Sequence, residues 1–360
     1  MGIEKIRIQN FKSINDSGFI EIQPINVLIG ANGVGKSNFI SFFKFLSKIY
    51  QQQLQLYVGQ NGRANNFLHF GRKKSKFIGG EIVFNNDWNN GYVFELVPTQ
   101  NDNFIFSKEQ SNFQQPQQGK NILPYGDGHE ESVIKTDEGF RNKHLKTHLG
   151  SFKIFHFHDT SSEAQVKQFC NSTDYAFFRE DGGNLAAFLY RIQEKEPRCF
   201  KMIERMIRSI APFFDSFCLQ PDEINENQIQ LIWLEHGSDQ IFNAHNLSDG
   251  TLRMMCLTTL LLQPNPPETI IIDEPELGLH PFAIQKLAAM LKNASIDAQI
   301  IISTQSVNLI NHFNARDIIV VERQNNQSIF KRLDENNLSE WLEDYSLGDL
   351  WEKNILGGRP

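Results

Sequence analysis

The sequence predicts an α/β protein: a mixed sheet carrying a phosphate-binding loop, an antiparallel β subdomain and a helical subdomain. Three observations predict it. A nearly all-apolar run, "INVLI" at 25–29, leads into the glycine-rich "GANGVGKS" at 30–37 and then a helical pattern. Three apolar, β-branched runs, "ETIIID" (268–273), "AQIIIST" (298–304) and "DIIVVE" (317–322), are separated by helical stretches over 281–293 and about 306–313. That is the rhythm of a parallel sheet built from crossover units. Residues 77–106 hold "FIGGEIVF", "GYVFELV" and "NFIFS" between Asn/Asp/Gly turns, which reads as an antiparallel meander.

The elements follow in order. "IEKIRIQNF" alternates apolar and polar residues with the period of a half-buried strand. "GFIEIQ" and "INVLIG" are two further strands, the second central because it is nearly all apolar. From Ser37 to about Tyr50, Phe39, Ile40, Phe43, Leu46 and Ile49 fall at helical spacing. Residues 107–150 are rich in Gln, Gly and charge and read mostly as surface loop. "FKIFHFH" (152–158) is a strand, and helices are expected to fill 162–215, with "NLAAFLYRIQEKE" and "RCFKMIERMIRSIAPFF" as candidates and breaks at Pro197 and Pro212. No internal repeat is present.

The chain of 360 residues carries a net charge of −7, so contact with nucleic acid needs a local basic patch. Its 30 phenylalanines favour a packed globule. Cys170, Cys199, Cys218 and Cys256 show neither zinc-ligand spacing nor a disulfide framework, as expected in a reducing compartment. The N-terminus is unlike a secretion signal, and no apolar stretch approaches the ~18 residues of a spanning helix. The expectation is a cytoplasmic protein without a membrane partner.

Residues Gly30, Gly35, Lys36 and Ser37 fit G-x-x-x-x-G-K-[ST], with Gly33 added. Glycines let backbone N–H groups converge on a phosphate, and the following helix adds its positive end. Lys36 can reach the β- and γ-phosphates of ATP, and the Ser37 hydroxyl can hold Mg2+. "TIIIDEPELGLHP" (269–281) places Asp273 at the end of an apolar strand, able to hold Mg2+ directly or through water. Glu274 is then placed to polarise the attacking water as general base. Two carboxylates at a buried strand end are costly unless a cation or partner is present. In "NLSDGTLRMMCLTTLLLQ", Ser248 and Asp249 read as N-cap residues, and Gly250 leaves backbone N–H groups open at a second anion-binding helix start.

The order of motifs, phosphate loop, "LSDGT", "IIIDEPELGLHP" and "IISTQS", resembles that of ABC-type ATPase heads. "IRIQNFKSI", "GANGVGKSN" and "DEPELGLHP" are similar to the SMC, RecF and OLD-like branch. "LHFGRK", "FHFHDTSS", "EDGGNLAAFL", "LSDGTLR" and "LGDLWEKNILGGRP" bring the resemblance closest to short AAA-family (ABC-like) ATPases of bacteria. The resemblance implies a Walker A loop over 30–37, with Asn32, Val34 and Asn38 also at the nucleotide and Lys12 and Ser13 near it. It implies a signature at Ser248, Asp249, Gly250 and Thr251, Walker B ending at Asp273 and Glu274, and a D-loop at Gly278, Leu279 and His280. Gln305 falls where many ABC ATPases have a switch histidine, and His158 and Asp159 fall at the Q-loop, where no glutamine stands.

The resemblance further implies a C2 homodimer in which one subunit's signature caps the ATP held by the other. It implies lobe I at 1–160, a helical subdomain at 161–240, lobe II at 241–335 and a helical tail at 336–360. The expected function is an ATP-hydrolysing, nucleotide-driven switch in DNA repair or phage defence, with DNA contact and a separately encoded, nuclease-like effector. The chain leaves no room for the Toprim nuclease domain of OLD proteins. One alternative is a regulatory scaffold with little turnover. Another is the ATPase subunit of a transporter, against which "LSDGT" lacks the glutamine usual there.

Three weaker signals remain. "RKKSK" (72–76) could touch a nucleic-acid backbone. His144 and His148 are spaced for one helix face. Trp341, Leu342, Tyr345, Leu347, Leu350 and Trp351 stud a tail ending in "GGRP", which either packs on its own core or docks a second protein.

Overall fold

Alternating burial in the first strand lays down an outer sheet: β1 (Gly2–Phe11) buries Ile3, Ile6, Ile8 and Phe11. The structure, a computed structural model, describes residues 2–86, 90–114, 119–139 and 142–358. β2 (Ile14–Asp16) and β3 (Ile20–Glu21) both pair antiparallel with β1. "GFIEIQ" is thus strand only at its centre. The Asn26 side chain ties back to Gln23, bonding its N–H at 2.9 Å and its carbonyl at 2.6 Å, and turns the chain out of this sheet. β4 (Ile25–Ile29), fully buried, enters a second sheet.

α1 (Lys36–Tyr50) buries Phe39, Phe42, Phe43 and Phe45 between the two sheets. α2 (Leu54–Gln60), α3 (Arg63–Phe67) and α4 (Gly71–Lys74) lead back to the outer sheet. There β5 (Ile78–Asn85), β6 (Gly91–Pro98), β7 (Phe104–Gln114) and β8 (Lys120–Pro124) complete the order β2-β1-β5-β6-β7-β8.

The 107–150 stretch is therefore not mostly loop: it continues β7, forms β8, and ends in α5 (Lys143–Gly150). Many of its polar residues are exposed, but some are buried, Glu109 among them. The buried Glu109 carboxylate accepts from Tyr92 Oη at 2.6 Å and from the Val133 N–H at 3.0 Å, meets His129 at 2.8 Å, and also bonds Ser132. A charge so satisfied can lie in a sheet that composition alone assigns to solvent.

β9 (Phe152–Phe155) joins the second sheet. Helices do not fill 162–215: α6 (Leu185–Lys195) and α7 (Pro197–Ile210) are accompanied by short strands β10 (Cys170–Asn171), β11 (Phe214–Phe217), β12 (Gln228–Ile229), β13 (Ile232–Glu235) and β14 (Ile241–Asn243). α8 (Asp249–Leu262), β15 (Thr269–Asp273), α9 (Pro281–Ala294), β16 (Gln299–Ser303), α10 (Val307–Ile310), β17 (Ile318–Gln324) and β18 (Gln327–Arg332) follow. The second sheet runs β18-β17-β4-β16-β15-β9, parallel except for β18.

This sheet divides two apolar cores. Val27, Ile29, Ile270, Ile272, Ile300 and Ile302 face the helices α6–α9. Leu28, Ile271, Ile301, Ile319 and Val321 face α1 and the outer sheet. Burial on both faces is why these strands read as unbroken apolar runs. The tail forms α11 (Glu335–Asp344) and α12 (Leu347–Glu352) and is divided in character. Leu347, Leu350 and Trp351 are buried, whereas Trp341, Leu342 and Tyr345 are exposed. Of "GGRP", Arg359 and Pro360 lie outside the described residues. Among the described residues no helix is long and apolar enough to cross a membrane.

Candidate functional site

The glycine loop joins the central strand β4 to α1. Gly35 stands at the helix N-cap with φ 117° and ψ 10°, and no side chain caps the helix start. Its first N–H groups are left for an outside acceptor. Packing explains two of the glycines. A Cβ at Gly30 would collide with the Val321 carbonyl, and one at Gly35 would lie 2.7 Å from Ser13 Oγ and collide with Ser328. Asn32 and Gly33 are exposed at the loop tip, as is Ser37 at the helix start, while Val34 is buried.

A polar brace lies against the loop. Ser328 Oγ donates to the Val34 carbonyl at 2.6 Å and stands 2.7 Å from Ser13 Oγ, which accepts from Asn38 Nδ2 at 2.7 Å. Ser13 and Asn38 thus hold the loop from the protein side. Lys12 Nζ donates to Ser41 Oγ at 3.0 Å beside the Phe11 ring, and burial lowers its pKa. Ser328 carried no sequence signal, being 315 residues from Ser13.

Lys36 Nζ donates to the carbonyls of Gly30 and Ala31 at 2.6 and 3.0 Å. Burial lowers its pKa, opposed by the charges of Glu274, Asp273 and Glu276. The lysine and these carboxylates therefore share one electrostatic environment.

The carboxylates are organised by neighbouring strands. Asp273 of β15 and Ser303 of β16 are register partners. Ser303 Oγ donates to Asp273 Oδ1, and Gln305 Nε2 donates to Glu274 Oε1. Between these pairs, Thr304 Oγ1 and the Gln305 N–H donate to Glu276 Oε1 at 2.5 and 3.2 Å. Three consecutive residues, Ser303, Thr304 and Gln305, so hold three acidic side chains. Glu276, which sequence reasoning left unassigned, has its pKa raised by burial, and its Oε2 is buried without a partner. Its signal was the second glutamate of "DEPE". Glu274 adopts φ 45°, strained for a residue with a Cβ and ahead of a proline.

The 248–251 turn begins α8. Ser248 caps that helix, its Oγ accepting from the Thr251 N–H at 3.2 Å, and Ser248 and Asp249 are exposed. Among the described residues no hydrogen bond joins 248–251 to 30–38; the turn packs instead on the 278–280 segment. A Cβ at Gly250 would lie 2.7 Å from the Gly278 carbonyl. Arg253, absent from the sequence reading of roles, donates to the carbonyls of Phe157, His158 and Leu277 at 3.1, 2.9 and 2.7 Å. His280 caps α9, Nδ1 accepting from the Phe282 N–H at 3.3 Å, and Leu279 packs partly buried against the core. Leu277 and Phe282 project exposed beside it, at 45% and 47%.

His158 borders a small gap shared with Arg253, Asp273 and Glu274. Asp159 is turned to its own loop, accepting from the Ser161 N–H and hydroxyl, which lower its pKa. His156 is closer to the carboxylates in its electrostatics. Its pKa is lowered by burial and by Lys44 of α1, against the pull of Asp273.

The weaker signals have structural employment. His148 is buried, stacked on Phe84, with Nδ1 2.6 Å from Glu268 Oε2, while His144 is exposed. In "RKKSK", Arg72 pairs with Asp102 at 3.4 Å and Lys74 lies over Phe70.

Comparison with known proteins agrees with this geometry. An SMC head bound to the C-winged helix domain of ScpA superposes with a TM-score of 0.65 at 15% identity, covering 94% of this chain and 100% of that one. An Smc head with an extended coiled coil, bound to the C-terminal domain of ScpA from Pyrococcus furiosus, gives 0.58 at 14% identity, covering 95% and 99%. Human ATP-binding cassette sub-family A member 10 is 33% identical over 88 residues, 24% of this chain; the chain spans only 6% of that protein's length. The family described as "AAA domain, putative AbiEii toxin, Type IV TA system" matches residues 25–311. The chain belongs to this AAA-domain family and has the fold of an ABC/SMC-type P-loop ATPase head.

Proposed function

We propose that the chain binds and hydrolyses ATP as a homodimer with two composite sites, acting as a nucleotide-driven switch. One observation carries this: the uncapped start of α1 and Lys36 share their electrostatic environment with the acidic set Asp273, Glu274 and Glu276. Amides and lysine suit the phosphates; the carboxylates suit a cation and a water.

The loop amides of 30–37 and Lys36 bind the β- and γ-phosphates, Lys36 exchanging its carbonyl partners for phosphate oxygens. The donor set fits Mg2+: Ser37 Oγ and the Asp273 carboxylate would hold it, and it would neutralise charge on the phosphates. Glu274 accepts the proton of the attacking water, and Gln305 orients that carboxylate through its amide. Gln305 cannot carry a proton as an imidazole would. The exposure of Ser248 and Asp249 at the turn, and of Leu277 and Phe282 nearby in the chain's next segment, supports a role in capping the partner copy's nucleotide. The division into two lobes, helical subdomain and tail, at the boundaries given above, belongs to the same proposal.

A cytoplasmic setting in DNA repair or phage defence, with DNA and a separate nuclease-like effector as partners, rests on family analogy. The bond from Gln305 to Glu274 favours a second reading, an ATP-dependent scaffold with slow turnover, because it engages the base before water arrives. ATP turnover and the oligomeric state of the purified chain, with and without Mg-ATP, test the proposal. A chain that binds no Mg-nucleotide refutes it, and turnover that stays slow with DNA present favours the scaffold.

A further inference from the structure

The last described residues return to the glycine loop. Trp351 is fully buried, and its Nε1 donates to the Gly358 carbonyl at 2.7 Å. The Gly358 N–H donates to Glu322 Oε1 at 2.9 Å. Both glycines of this turn are left-handed, with φ 81° at Gly357 and 60° at Gly358. A Cβ at Gly358 would lie 2.8 Å from Val320 Cγ1, 3.3 Å from the Val321 carbonyl and 3.4 Å from Gly30 Cα. Gly30 already lies against that same Val321 carbonyl, with no room for a Cβ. The first glycine of the phosphate loop is therefore packed against β17, and the side of Gly358 that a Cβ would occupy faces it.

The same tail is tied to the segment behind Gln305. The Gly348 N–H donates to Asn311 Oδ1 at 2.6 Å, and a Cβ at Gly348 would lie 2.5 Å from Val307 Cγ1, at the start of α10. One strap thus runs from the helix after Gln305, through buried Trp351, to Gly30. Nothing in the motif pattern demands this contact.

We propose that Gly358 is a positioning residue for nucleotide binding. Having no Cβ, it leaves the space beside Gly30 and the Val321 carbonyl free, so that the loop amides keep the register that accepts phosphate, which rests on the reading that this loop binds ATP. The Gly30 carbonyl also receives Lys36 Nζ, so displacement of Gly30 moves an amide donor and the lysine's resting partner together. Sub-ångström placement of such donors decides affinity.

The test uses the full chain, calorimetric titration with Mg-AMPPNP, steady-state ATP turnover and thermal unfolding without nucleotide. Gly358→Val is expected to weaken AMPPNP binding and raise KM for ATP about tenfold, with kcat at saturation unchanged. Glu322→Ala, which releases the Gly358 N–H, is expected to act in the same direction, and Glu322→Gln, which keeps an acceptor, to restore binding. The nucleotide-free unfolding midpoint should stay near wild type in Glu322→Gln and fall in Gly358→Val, whose φ of 60° strains a β-branched residue, so affinities are compared well below every midpoint. Wild-type affinity in both Gly358→Val and Glu322→Ala overturns the proposal, as does weakened binding seen only near that midpoint. A wild-type chain that binds no nucleotide overturns instead the reading of the loop itself.

Discussion

Arg253 Nη1 donates to the carbonyl of Leu277 at 2.7 Å, tying α8 to the turn that follows β15. The same guanidinium holds the carbonyls of Phe157 and His158. If the signature serves the partner's nucleotide while Asp273 and Glu274 serve the chain's own, Arg253 mechanically joins two composite sites within one subunit.

Arg253→Ala should therefore reduce ATP turnover about 10- to 100-fold while nucleotide affinity stays near wild type, since no bond of Arg253 reaches the loop. Arg253→Lys should recover little, because one ammonium cannot reproduce a planar fork serving three carbonyls. Parallel measurements of Kd and kcat check this; loss of both in equal measure contradicts it.

Glu274→Gln should bind ATP, hydrolyse it at least about 100-fold more slowly, and accumulate as a nucleotide-bound dimer. The isosteric amide keeps the bond with Gln305 available and removes only the basic oxygen. Light scattering after gel filtration with Mg-ATP reads the outcome, and a variant that remains monomeric at saturation rules out the composite site.

Glu276 separates structure from chemistry. Glu276→Ala strands the Thr304 hydroxyl and the Gln305 N–H and should cost about 1–3 kcal/mol in urea unfolding. Glu276→Gln keeps an acceptor for both and removes a buried charge, so its stability should equal or exceed wild type.

Acid should loosen the α5–β15 junction. The hydrogen bond from His148 lowers the Glu268 pKa below its ordinary 4.5. A depressed folded pKa contributes stability that is present above 4.5 and lost as pH falls through the lower folded value. Glu268→Gln should flatten that part of the unfolding midpoint's pH profile below 4.5, with the effect reduced by solvent screening at this half-exposed group. An unchanged acid limb would assign the loss to other carboxylates.

Much of this was legible along the chain. The apolar run of β4, the glycine loop and the amphipathic α1 are local, and local spacing announces them. So are the crossover strands β15, β16 and β17, whose burial on both faces leaves unbroken β-branched runs. The outer sheet was read short because the charge of Glu109 suggests solvent unless Tyr92, His129 and Ser132 are known to surround it.

What the sequence by itself determined is the chemistry offered: convergent amides, a lysine, and carboxylates at a strand end. Chain folding alone decided who holds whom. Ser328 braces a loop nearly three hundred residues upstream, the side chains of Ser303, Thr304 and Gln305 each take one acidic partner, and the tail turn at Gly358 returns to the neighbourhood of Gly30. The reason is physical. Glycine spacing and apolar periodicity are encoded by neighbours in the chain, whereas a brace depends on which strands lie side by side, and only the closed sheets settle that.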